Sequence, residues 1–283
     1  MLDHFYRAVV PYGRRLHYVT AKQPRNGGDP TSWTAYHCTP DDITSIVEEN
    51  TELHQFISLQ SAEPHDKRLV KTDRKAWKDS SICSFVFDLD VAKEGEDPNT
   101  RHQKYSSEDE IYDTIVQAIE DGTIATPNFI VESGSGGRHL WYMLRAGVTW
   151  ESWTSIYREI VDALHERGFR FDAAVCSQPH MLIRAPGSIN RKPGVNAYVQ
   201  VEAPQPRPYS AKLFRKAWGL SFDGMNMQSL GSDITDGRDP DEPMVELGVY
   251  PSQVLTECPW LTDKIENGTS SGDGMLYNQY ADE

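Results

Sequence analysis

An α+β fold, with helices layered on a sheet, is the class that this 283-residue sequence predicts. Three observations lead there. Short runs rich in β-branched and aromatic residues alternate along the chain with amphipathic helical runs, the pattern of elements layered around one sheet. The clearest helix, over residues 150–167, sets Trp153, Ile156, Tyr157, Ile160, Val161 and Leu164 on one face at 3.6-residue spacing. The clearest strand, Phe85-Val86-Phe87-Asp88-Leu89-Asp90, is apolar at four of its six positions.

The other elements follow in order. Residues 5–19 read as a strand, a turn at Pro11-Tyr12-Gly13 and a second strand, and residues 22–31 as a loop rich in Pro, Asn and Gly. Thr39 is the expected cap of a helix with Pro40 in its first turn and Ile43, Ile46 and Val47 on its apolar face. Residues Gln55 to Leu59 read as a strand and residues 91–105 as a polar loop. Ser107 and Glu110 have the spacing of a capping box, opening a helix with Ile111, Ile115, Ala118 and Ile119 inward and a stop near Gly122. Asn128 to Glu132 and His139 to Met143 read as strands joined by Ser133-Gly134-Ser135-Gly136-Gly137-Arg138.

Composition narrows the function classes. No apolar run approaches the roughly 18 residues that span a bilayer, and the first residues lack the basic and apolar regions of a secretory signal. The four cysteines, Cys38, Cys83, Cys176 and Cys258, have no repeating spacing, which fits reduced thiols in the cytoplasm. The formal charge of −14 is unevenly spread. Residues 221–283 hold 13 acids against Arg238 and Lys264, so the first 220 residues are nearly neutral. Two segments there are basic: 67–79, with Arg68, Lys71 and Arg74, and 184–216, with Arg191. Both are candidate phosphate-facing surfaces and nucleic-acid contacts. The chain therefore divides into one domain over 1–218 and an acidic linker with a short helical tail over 219–283.

Four pieces carry chemistry. Side chains two apart in a strand share a face, so Asp88 and Asp90 project together, about 6–7 Å apart at their roots. Two carboxylates so placed call for a proton or a cation, and Mg²⁺ takes one or two carboxylates plus phosphate oxygens. The Ser/Gly turn allows close backbone approach and presents amides to phosphate, with His139 aimed at the same place. Asp172, after the long helix, is a candidate third carboxylate. Arg184-Ala-Pro-Gly-Ser-Ile-Asn190-Arg191-Lys192 sets three cations, an amide and a hydroxyl around a Pro-Gly turn, suited to a triphosphate or a nucleic-acid backbone.

In their order and approximate spacing these four motifs resemble the archaeo-eukaryotic primase superfamily, in particular the primase-polymerases of phages and plasmids, over residues 50–200. The resemblance implies a primase-polymerase fold: an RRM-like catalytic sheet with an N-terminal α/β subdomain. It implies transfer of NTPs or dNTPs onto a single-stranded DNA template with two divalent ions, Mg²⁺ or Mn²⁺, in replication of a mobile element. Asp88, Asp90 and Asp172 would be the catalytic metal ligands. Ser133, Ser135, Gly136 and His139 would hold the nucleotide's phosphates, and Arg184, Asn190 and Lys192 would contact nucleotide or template. A helicase or helical accessory domain is the implied partner, and the chain would stop short of it. One position departs: the family often has a serine two residues before the histidine, and here that residue is Gly137, which leaves the hydroxyl to Ser133 or Ser135.

Other classes fit less well. Rolling-circle initiators hold metal with a His-hydrophobic-His pair, whereas His139 is followed by Leu140 and Trp141. A non-catalytic replication initiator or nucleic-acid-binding module would not require three acids at these positions. Zinc through Cys176 and His180 with His37, Cys38 or Cys83 lacks a second Cys-x-x-Cys pair, which argues against it.

Overall fold

The computed structural model describes residues 1–10, 14–22, 31–62, 81–93, 95, 104–171, 181–192, 194–205 and 207–219. The turn expected at 11–13, the basic segment 67–79 and the tail from residue 220 onward lie outside these residues, as does most of the loop expected over 22–31. In chain order the elements are α1 (Leu2–Val9), β1 (Arg15–Lys22), β2 (Thr31–Cys38), α2 (Ile43–Glu49), β3 (His54–Ala62), β4 (Ile82–Leu89) and α3 (Glu108–Glu120). They continue as β5 (Phe129–Glu132), β6 (Arg138–Val148), α4 (Trp150–Glu166), β7 (Ile183–Arg184), β8 (Ile189–Asn190), β9 (Ala197–Tyr198), β10 (Gln200–Glu202) and α5 (Ala211–Trp218).

The alternation of strands and helices holds, but the strands build two four-stranded antiparallel sheets where the alternation by itself suggested one. Their orders are β2-β1-β3-β7 and β10-β5-β6-β4, with β8 and β9 pairing separately. Hydrophobic periodicity identifies strands without saying which ones pair, so the split was not readable from the pattern.

β4 is the centre of the second sheet's packing. Its alternation sends Phe85 and Phe87 to the face covered by α4, where their rings stack on Trp153 and Tyr157 at 5.6 and 5.5 Å. The Trp153 indole N–H donates to Ser84 O at 2.8 Å, which satisfies its polar atom within the core. α4 begins where the Thr149 hydroxyl accepts from the Ser152 amide. Phe214 of α5 lies 5.5 Å from Phe85 on the same face.

The N-terminal segment differs from the expected strand. Residues 2–9 are helical, and Phe5, Tyr6 and Val9 are buried at helical spacing. Aromatic and β-branched residues favour strands only where the pleated surface suits them, and here the amphipathic spacing prevails. α1 lies against the second sheet's other face, with Phe5 edge-on to Phe129 and Trp141 at 5.2 and 5.0 Å. The Tyr6 hydroxyl donates to Pro186 O at 2.5 Å and the Ser84 hydroxyl to Val9 O at 2.8 Å. α2 also begins later than expected, at Ile43. Thr39 still caps the turn that leads into it: its hydroxyl and its carbonyl both accept from the Asp42 amide, at 3.3 and 3.2 Å. No helix among the described residues is long and apolar enough to cross a membrane.

Candidate active site between the two sheets

The same alternation that buries Phe85 and Phe87 turns Ser84, Val86 and Asp88 the other way. Asp90 follows just beyond the strand, its carbonyl accepting from the Tyr105 amide at 2.9 Å. Both acids line a cleft of about 200 Å³ whose other wall is the first sheet, through Phe56 of β3 and Ile183 and Arg184 of β7.

His139 is directly opposite Asp88 in the β4–β6 register, and its Nε2 lies 3.4 Å from Asp88 Oδ1. Burial, reinforced by Arg184, Lys192 and Arg138, lowers its pKa to about 3. The imidazole is therefore neutral near pH 7, and the contact is not an ion pair. Its Nδ1 is buried without a hydrogen-bond partner among the described residues.

The Ser/Gly turn between β5 and β6 closes through the Ser133 amide and Gly137 O at 3.0 Å. Gly134 adopts a φ of +73° and abuts the β8–β9 hairpin, where a Cβ would meet Ala197 O at 3.0 Å. Gly137 serves a different need. A Cβ there would sit 3.0 Å from Asp90 Oδ1 and from Leu89 O, and 3.1 Å from Ser133 Oγ. The Ser133 hydroxyl thus borders the space that a side chain at 137 would enter, and it lies 3.1 Å from the Ser135 hydroxyl.

Opposite the turn, the Arg184 guanidinium lies 5.2 Å over the Phe56 ring. Burial lowers its pKa to about 10, which leaves it charged near neutral pH. Its Nη1 is buried with no hydrogen-bond partner among the described residues. A charged donor in that state, lining the cleft, is suited to an anionic oxygen.

The remaining predicted residues divide by position. Lys192 lines the cleft from an exposed position. Asn190 also lines it, but both ends of its amide are engaged: Nδ2 donates to Ser133 O at 2.7 Å and Oδ1 accepts from the Lys192 amide at 3.1 Å. It joins the turn to the basic segment. Gly136 belongs to the turn, at φ +88°, without lining the cleft. Arg191 is directed elsewhere, its Nε donating to Thr51 O at 2.7 Å. Asp172, Arg68, Lys71 and Arg74 lie outside the described residues. Phe56 was missed as a site residue; its sequence signal, one aromatic in an apolar strand, is that of any core position.

Asp88 and Asp90 together offer the hard oxygen donors that Mg²⁺ or Mn²⁺ prefers, with the Ser133 hydroxyl beside Asp90. The two residues fit such an ion. Among the described residues no group of three or more His, Cys, Asp and Glu is arranged to hold a metal. Cys38 and Cys83 are buried free thiols, pushed up to about 11 and about 12 by burial, and Cys176 and His180 lie outside the described residues.

No family model matches the chain, and no curated protein does. Among solved structures the chain is similar to the primase-polymerase domain of cyanophage S-2L, at 14% identity and a TM-score of 0.46, over 72% of this chain and 89% of that one. It is similar to the primase RepB′ at 11% identity and a TM-score of 0.47, over 81% of this chain and 64% of that one. It is also similar to the polymerase domain of Mycobacterium tuberculosis ligase D, solved in complex with DNA, at 15% identity and a TM-score of 0.42, over 84% and 92% of the two chains.

Proposed function

We propose that this cleft is the active site of a template-dependent nucleotidyltransferase, a DNA primase or polymerase that joins NTPs or dNTPs on single-stranded DNA. One observation carries the reading. Two strand-end carboxylates, Asp88 and Asp90, open into the same cleft as the buried, charged Arg184, whose Nη1 lacks a hydrogen-bond partner among the described residues.

In this reading Arg184 and Lys192 take oxygens of the triphosphate, and the Ser133 and Ser135 hydroxyls donate to it from the opposite wall. Preset donors of this kind stabilise charge that builds on the phosphates at little reorganisation cost. His139 stays neutral beside Asp88. Asp88 and Asp90, with Asp172 as third ligand, would hold two divalent ions, whose chemistry there would be to lower the pKa of the attacking 3′-hydroxyl and offset charge on the entering and leaving oxygens. Asn190 sets the distance between the two walls. Arg68, Lys71, Arg74 and Arg191 contact the template backbone in this proposal, and a helicase or accessory domain is its proposed partner.

The test is incorporation of labelled nucleotide on a single-stranded template with Mg²⁺ or Mn²⁺, with and without a primer, beside Asp88→Ala and Asp90→Ala. Both variants should keep the wild-type circular dichroism and lose about a hundred- to a thousandfold in rate, the scale expected when charge stabilisation is removed. Synthesis retained by either purified variant refutes the assignment. Template binding by the wild type without product would make the chain a non-catalytic binding module.

A further inference from the structure

We propose that Arg138 is a positioning residue for this site, a clamp behind the Ser/Gly turn that fixes the phosphate-binding wall; the inference rests on the nucleotidyltransferase reading above. Arg138 and His139 are consecutive in β6, so they project to opposite faces of the sheet. His139 enters the cleft, while Arg138 turns to the α3 side.

Only 3% of the Arg138 side chain is exposed, and all three guanidinium nitrogens are engaged. Nη1 donates to Gly136 O and Gly137 O, at 3.4 and 3.2 Å, and lies 3.5 Å from Glu132 Oε1. Nη2 reaches Glu108 Oε2 at 3.5 Å, and Nε donates to the Tyr112 hydroxyl at 3.0 Å. The guanidinium also lies 4.5 Å over the Tyr112 ring. One side chain thereby joins the turn, β5 and α3. The turn is closed on α3 a second way, because a Cβ on Gly136 would meet Glu108 Oε1 at 2.9 Å.

The two bonded carbonyls belong to the residues that determine the cleft's shape. Gly137 is in close approach to Asp90 and Ser133, and Gly136 follows Ser135. A shift of these carbonyls moves both hydroxyls relative to both acids. A planar fork with five N–H groups can span the turn and α3 together, and a lysine ammonium cannot. The charge pattern agrees with a single central cation: Glu108 and Glu132 reach the guanidinium, and Glu202 lies within its field.

The deciding variant is Arg138→Lys, which keeps the charge and loses the fork. Amide hydrogen exchange, thermal unfolding and nucleotide incorporation are measured on the whole chain. The clamp predicts exchange at residues 133–137 that is faster by about tenfold or more while α4 is unchanged. It also predicts kcat/KM for the nucleotide lower by about tenfold, mainly through kcat, since misplacement of donors by a fraction of an ångström costs rate. Wild-type exchange in the turn, or a rise shared equally by α4, overturns the clamp whether or not the enzyme is active. Wild-type kcat/KM in an active enzyme overturns it as well. Absence of incorporation by the wild type counts against the nucleotidyltransferase reading, and the exchange result then decides the clamp alone.

Discussion

Gly137 offers the most direct test of how tightly the cleft is built. Alanine at this position adds a methyl group 3.0 Å from Asp90 Oδ1, 3.0 Å from Leu89 O and 3.1 Å from Ser133 Oγ. Ordinary contact begins at 3.4 Å, so the neighbours must yield by a few tenths of an ångström. Leu89 O belongs to a strand paired along its length with β6, so most of the adjustment falls on Asp90 and Ser133. Overpacking of this kind costs about 1–3 kcal/mol of stability. Misplacing a catalytic group by about 1 Å costs on the order of a hundredfold in rate, so the smaller shift here should cost roughly five- to tenfold. Steady-state nucleotide incorporation for Gly137→Ala, with a thermal unfolding curve alongside, measures both. A double variant separates crowding from simple loss. Gly137→Ser alone should be impaired like Gly137→Ala, and adding Ser133→Gly should restore part of the activity by moving the hydroxyl from one side of the contact to the other. Wild-type kcat/KM in Gly137→Ala, or a double variant no better than Gly137→Ser, would refute the reasoning.

Two further predictions concern pH. Burial, with His37 nearby, lowers the His17 pKa from 6.5 to about 4, so the unfolded chain binds the proton first as pH falls and stability drops below pH 6.5. His17→Gln should therefore narrow the gap in urea stability between pH 7.5 and pH 5 by about 2 kcal/mol, and an unchanged gap would show that His17 does not carry the acid sensitivity. Glu202 has the opposite sign of dependence. Burial and the neighbouring Glu132 raise its pKa from 4.5 to about 7 against the pull of Arg138, so the folded state loses stability as pH rises from 4.5 through 7. Glu202→Gln should gain about 1–2 kcal/mol on the wild type at pH 8, a figure reduced for partial solvent access, and gain nothing from this source below pH 4.5. Denaturant midpoints at the two pH values give the answer.

Local patterns in the sequence translated into structure where one element sufficed. The alternation of Phe85, Phe87 and Asp88 gives a strand with one stacked aromatic face and one acidic face, as β4 has. The Ser107–Glu110 spacing gives a helix start in which the Ser107 hydroxyl accepts from the Glu110 amide at 3.1 Å, although the Glu110 carboxylate reaches the Ser106 amide instead of that of Ser107. What stayed hidden depended on distant parts of the chain. Phe56 becomes part of the cleft only because β3 pairs with β7 and thereby places it beside Arg184. Asn190, expected as a ligand contact, lines the cleft and also bonds Ser133 O, 57 residues away in sequence, and the Lys192 amide, links that only the fold assembles. Arg138 carried no motif signal, since its role comes from partners in α3 and β5 that only the folded sheet assembles.

The placement of α1 sets an order of assembly. Phe5, Tyr6 and Val9 are made before the surfaces that bury them: Phe129 and Trp141 come more than a hundred residues later, and Pro186 follows Tyr6 by 180 residues. Until then the helix has an apolar face with nothing to cover it, and isolated helices of this length are marginal in water. Contacts separated so widely in sequence are costly to close and slow to form. α1 is therefore expected to dock late, after β5, β6 and the Pro-Gly turn are in place. Its docking joins the second sheet to the segment that presents Arg184 and Lys192, so the cleft is completed by a segment made before every surface it packs against.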